Sequence, residues 1–161
     1  MVIVIIGVSG SGKTAIGTIL AQMLGATFKE GDAFHPPANI EKMCRGIPLN
    51  NEDRAPWLKA LAEAIDEWIE QGEDVILSCS ALKQAYRDIL MNDKKDMRLV
   101  YLKGDEETIR QRIQKRSGHF FNARLLASQF AILEEPSDAI TVEVHGSPRS
   151  IAAAIYTQLD R

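Results

Sequence analysis

VIVIIGVSGSGKT, residues 2–14, runs an apolar, β-branched stretch directly into three glycines, a lysine and a threonine. A continuous run of this kind reads as a strand buried on both faces. The eight residues that follow it, GVSGSGKT at 7–14, fit the spacing G-x-x-x-x-G-K-[ST], and Thr14 opens a segment with helical periodicity. Strand, glycine-rich turn and helix in that order make a phosphate cradle. The glycines let successive backbone N–H groups face inward, and the positive end of the helix dipole adds to their attraction for an anion. Lys13 then reaches the outer phosphates and Thr14 offers its hydroxyl to Mg²⁺. At ordinary residue frequencies a chance match in this length is on the order of one in two hundred. A plain glycine-rich turn is therefore set aside, and Gly7, Val8, Ser9, Gly10, Ser11, Gly12, Lys13 and Thr14 are expected to bind a nucleoside triphosphate, with Thr14 on the metal.

Outward from this loop, four more short runs rich in β-branched or apolar residues follow, at 26–29, 74–78, 98–102 and 139–144. Between and after them, helical spacing predicts helices at 14–24, 54–71, 81–91, 106–115, 123–133 and 148–159. Trp57 and Trp68 fall on the apolar stripe of the second of these and read as core. Alternating strands and helices imply an α/β fold: a three-layer, doubly wound parallel sheet of about five strands, formed by one domain over residues 1–161. The polar stretch MNDKKDMR, 91–98, reads as a surface turn.

Composition narrows the function class. The 161 residues are 45% hydrophobic, enough for one sizeable core, and carry 22 Asp and Glu against 19 Lys and Arg. With the basic residues scattered, neither nucleic acid nor anionic membrane is expected as a partner. Cys44 and Cys79 are far apart and suggest a reducing cytoplasm. The apolar run before Gly7 is too short for a membrane span, so a soluble protein is expected.

A signalling GTPase would need N-K-x-D and D-x-x-G elements, and the chain has neither. A motor ATPase would end its third strand in an acid, where this chain has SCS at 78–80. A small kinase remains, in which an arginine-bearing lid closes over the transferred phosphate and keeps water out. The candidate lid is RQRIQKRSGHFFNARLLASQF, 110–130, with Arg112 and Arg116 on one helix face; a solvated helix surface is the competing reading for each arginine.

GDAFHPPANIEKM, 31–43, places Asp32 just beyond the second strand, as Gly7 lies just beyond the first, so both would face one crevice at the carboxyl edge of the sheet. A carboxylate there can take the proton of an acceptor hydroxyl and aim its oxygen at the γ-phosphorus, or reach Mg²⁺ through water. A capping aspartate is the plainer alternative. Pro36 and Pro37 fix the backbone beside His35 and can start a helix, while Arg45, Arg54, Lys83 and Arg87 would suit an anionic acceptor.

The stretches GDAFHPPANIEKMCRGIPLNNEDRAPWL (31–58), CSALKQAYRDIL (79–90) and YLKGDEETIRQRIQKRSGHFFNARLLASQFAILEEP (101–136), taken with the loop, resemble the gluconate kinases from Val4 to about Pro136. The resemblance implies ATP- and Mg²⁺-dependent phosphorylation of D-gluconate to 6-phosphogluconate, on a fold similar to shikimate and adenylate kinases. It also implies a cytoplasmic homodimer. On matching positions it makes Lys13, Asp32, Arg112 and Arg116 catalytic, and Asp32, His35, Arg54, Lys83, His119 and Gln129 substrate-binding. The segment VEVHGSPRSI, 142–151, takes the place of the adenine cradle, with His145 where the family usually has an acid. Two other readings stand beside this one: a kinase of another small hydroxylated acid such as shikimate or of a nucleotide, and a non-catalytic nucleotide-binding regulator.

Overall fold

The computed structural model describes residues 1–91, 96–115 and 123–159. Five parallel strands, β1 Val2–Ile6, β2 Thr27–Glu30, β3 Val75–Cys79, β4 Met97–Lys103 and β5 Ile140–Glu143, lie in the order β2-β3-β1-β4-β5. The first strand is thus central, bonded to β3 through pairs such as Ile6↔Cys79 and to β4 through Ile6↔Tyr101. All five of its residues are buried, which is why it is apolar without alternation.

Helices cover both faces: α1 Lys13–Leu24, α2 Pro37–Cys44, α3 Asn51–Glu70, α4 Gln84–Met91, α5 Glu106–Gln114, α6 Ala123–Ile132 and α7 Pro148–Gln158. The period-two geometry of β1 splits the core. Ile3 and Ile5 join Ile16, Leu20 and Ile155 of α1 and α7, whereas Val2, Val4 and Ile6 join Trp57, Leu61 and Leu90 of α3 and α4. This is the doubly wound α/β arrangement expected, and each strand lies within one or two residues of its expected bounds.

The helices depart from expectation at three places. α3 begins at Asn51 rather than at residue 54, because Asn50 and Asp53 form a capping box: Asn50 Oδ1 accepts from the Asp53 amide at 2.7 Å and Asp53 Oδ2 from the Asn50 amide at 3.0 Å. α4 begins at Gln84 rather than at residue 81. α2 was not expected as a full helix, and before it Gly31–Phe34 make one tight 3₁₀ turn. Of the polar stretch read as a surface turn, residues 92–95 lie outside the described residues. Among the described residues no helix is long and apolar enough to cross a membrane.

Candidate active site

Three segments end at the carboxyl edge of neighbouring strands and meet around one cavity of about 710 Å³, which Lys13, Asp32, His35, Arg54 and Gln129 all line. The loop after β1 supplies its floor. Gly10 and Gly12 have φ of +82° and +99°, a region other residues enter at a cost. A Cβ at Gly10 would also strike Ile113 of α5 at 2.7 Å. Lys13 Nζ folds back over the loop and donates to the carbonyls of Gly7 at 2.9 Å and Val8 at 3.0 Å. Burial pushes the Lys13 ammonium below its ordinary value, and Asp32 is the strongest of the groups that oppose this. Lys13 and Asp32 therefore feel one another across the cavity.

The opposite wall is the turn after β2. Gly31 is required there by close approach, since a Cβ would collide with the Ser78 carbonyl oxygen of β3. The Gly31 carbonyl accepts from Trp57 Nε1 at 2.8 Å, which ties the turn to α3. Asp32 follows with its side chain 72% exposed, so its carboxylate stays solvated and open to a ligand. Nε2 of His35 lies 4.0 Å from Asp32 Oδ1, and the imidazole stacks on Trp57 at 4.2 Å between centroids.

Trp57 is 1% exposed and belongs to the core, as its spacing suggests, yet the same indole holds both the turn and the histidine. Arg54, one turn before it, donates to Tyr86 Oη at 3.2 Å and lies over the Tyr86 ring, whose centroid is 5.8 Å from Lys83 Nζ. Tyr86 in turn donates to Asn51 Oδ1 at 2.6 Å. One buried phenol therefore contacts two cations, of which Arg54 lines the cavity and Lys83 does not.

The lid region is partly described. Arg112 donates to the Val144 carbonyl at 2.7 Å, and a Cβ on Gly12 would come within 4.0 Å of its Nη1. Its guanidinium thus bridges the phosphate loop and the segment after β5. Arg110 is engaged by Glu106 and Glu107, the solvated-surface reading. Arg116 and His119 lie outside the described residues. Gln129 reaches the loop rather than the far wall: its Oε1 accepts from the Ser9 amide at 2.7 Å and its Nε2 donates to Ser9 Oγ at 2.9 Å. Alanine at 129 removes both bonds, worth about 1 kcal/mol each. Steady-state kinetics should then show KM for ATP raised by up to roughly thirtyfold. His145, in the segment after β5, is exposed beside Glu143 at 3.6 Å.

Two of the cations read from sequence as bordering the crevice do other work. Arg45 pairs with Glu41 on the outer face of α2, 68% exposed. Arg87 is 2% exposed and spends its donors on the carbonyls of Ala81 and Glu134, bracing α4 against the segment after α6.

Glu30 was missed altogether. It ends β2, and its Oε1 accepts from Thr14 Oγ1 at 2.6 Å, so two oxygen donors stand together at the lip of the loop. Among the described residues no group of three or more His, Cys, Asp or Glu could hold a metal by itself. A hydroxyl and a carboxylate suit Mg²⁺, which takes one or two protein oxygens and completes its shell with water and phosphate. The available signal was a second carboxylate at the end of the second strand, two residues before Asp32, and both line the cavity.

A family model described as an AAA domain matches residues 2–136. The gluconokinase of Gluconobacter oxydans (strain 621H) is 47% identical over 136 residues, covering 84% of this chain and 76% of that protein. The crystal structure of a gluconokinase from Sinorhizobium meliloti 1021 superposes with a TM-score of 0.86 at 41% identity, covering 98% of this chain and 91% of that one. A shikimate kinase from Acinetobacter baumannii, solved with shikimate, has a TM-score of 0.64 at 22% identity, which is a likeness of fold alone.

Proposed function

The chain belongs to the gluconokinase family, and from that membership and the convergence of Lys13 and Asp32 on one cavity we infer an ATP-dependent kinase that phosphorylates D-gluconate to 6-phosphogluconate. The carrying observation is the pairing of an anion-binding loop with an open carboxylate on the facing wall.

In this reading Gly7 to Thr14 hold the triphosphate through backbone N–H groups, and Lys13 exchanges its two loop carbonyls for phosphate oxygens. Asp32 accepts the proton of the acceptor hydroxyl while that oxygen bonds to the γ-phosphorus. The bond from the γ-phosphorus to the β–γ bridging oxygen breaks, and ADP leaves with the electron pair. Arg54, with Lys83 beside it, attracts the carboxylate of the sugar acid, and His35 meets its hydroxyls. Arg112 and Gln129 shape the loop from the lid side, with Arg116 and His119 also assigned to the lid. Thr14 and Glu30 would hold Mg²⁺, which neutralises charge on the phosphates.

The single domain, the cytoplasmic setting and a homodimer belong to the same proposal. The free thiols of Cys44 and Cys79 support a reducing compartment. An acceptor panel assayed with Mg·ATP tests the substrate: turnover should be highest with D-gluconate, and a preference for shikimate or a nucleotide would reassign it.

A further inference from the structure

The hydrogen bonds behind His35 determine which of its two nitrogens carries the proton. The backbone carbonyl of Asp53 can only accept, so the Asn39 atom 2.8 Å from it is the amide nitrogen, Nδ2. That same nitrogen lies 3.1 Å from His35 Nδ1. With one N–H spent on Asp53, the second points at Nδ1, which must present a lone pair. The proton of the neutral ring is then on Nε2, the atom on the Asp32 side. At 4.0 Å from Asp32 Oδ1 it is too distant for a direct hydrogen bond, leaving the N–H available to a ligand oxygen.

His35 and Asn39 are both buried. Asn39 is 3% exposed and the stack on Trp57, tilted by only 13°, keeps the ring from turning over. The charged groups facing His35 are Asp32 on the turn and Arg54 on α3, while Asp53, whose carbonyl orients Asn39, has its carboxylate engaged by Lys42 at 2.9 Å. Burial pushes His35 below its ordinary value, against the pull of Asp32 and with a smaller push from Arg54 in the same direction, which favours the neutral ring.

We propose that Asn39 is a positioning residue that locks His35 as the Nε2–H tautomer, making the imidazole a fixed hydrogen-bond donor to the acceptor substrate and leaving Asp32 as the sole base. The assignment of the acceptor rests on the function proposed above; the tautomer does not. A donor at this place discriminates by chemistry: it favours a hydroxyl or carboxylate oxygen beside Asp32 and disfavours an ammonium there.

With only three histidines in the chain, long-range ¹H–¹⁵N correlation spectra can assign His35 directly. At about pH 8, where an ordinary imidazole is neutral, the intact protein should show a protonated Nε2 and an unprotonated Nδ1. Asn39→Asp places an acceptor at Nδ1; the proton of the neutral ring should shift from Nε2 to Nδ1, and with the Nε2 donor lost KM for gluconate should rise about tenfold with KM for ATP unchanged. The proton shift read at the ring nitrogens, together with a KM change confined to gluconate, is an effect that a merely structural role for Asn39 would not cause. An Nδ1–H or mixed tautomer in the intact protein would overturn the proposal, as would an Asn39→Asp spectrum identical to the parent. If that variant fails to fold, the parent spectrum decides. Absence of gluconate turnover would overturn the acceptor assignment while the tautomer is still read from the spectra.

Discussion

Replacing Asp32 by Asn should lower kcat by about a thousandfold, within the range of a positioned general base, and leave KM for ATP unchanged. Three features make the expectation this specific. The carboxylate is 72% exposed, so its loss costs little stability. It stands on the turn after β2, across the cavity from the loop that binds ATP, so ground-state nucleotide binding is untouched. Asn keeps the shape but loses the negative charge and, with it, the capacity to take a proton. Initial rates against both substrates check it, and full activity in this variant would remove Asp32 from the chemistry.

Trp57→Ala should be the most damaging substitution to the fold near the site, costing about 3–5 kcal/mol. The indole is 1% exposed in the core shared with Val4, Leu61 and Leu90, donates to Gly31 and carries the His35 stack. Its loss therefore leaves a cavity, an unpartnered carbonyl and a loosened histidine together. Urea unfolding should show a lower midpoint with an unchanged slope. Trp57→Phe separates the contributions: it retains most of the packing but not the N–H, and should raise KM for gluconate more than it lowers stability.

What could be read from the sequence was chemistry concentrated in short local patterns. The central strand announced itself because burial on both faces leaves five apolar residues in a row, and the loop because the chemistry of phosphate binding demands glycines at set spacing. The position of Asp32 on the cavity was legible from the shared carboxyl edge of a parallel sheet, although β3 lies between β2 and β1. Other parts were hidden by inverted polarity or by distance along the chain. α2 exposes Ile40 and buries Asn39, the reverse of an amphipathic stripe, because its inner face is spent on His35 and Asp53 instead of on core. Glu30 and Tyr86 act through Thr14 and Arg54, 16 and 32 residues away, and no local spacing encodes such pairs. Arg87 misled because charge count cannot distinguish a cation facing a substrate from one bonded to the carbonyls of its own scaffold.

The central claim is that one cavity brings a triphosphate on the Lys13 loop into line with a sugar-acid hydroxyl held by Asp32. Phosphorus NMR of the intact enzyme with Mg·ATP and D-gluconate tests it most directly. The expected spectrum is ADP and a phosphate ester on the terminal carbon in equal amounts, with no ADP formed when gluconate is withheld. ADP accompanied by free phosphate at the same rate with or without gluconate would contradict it.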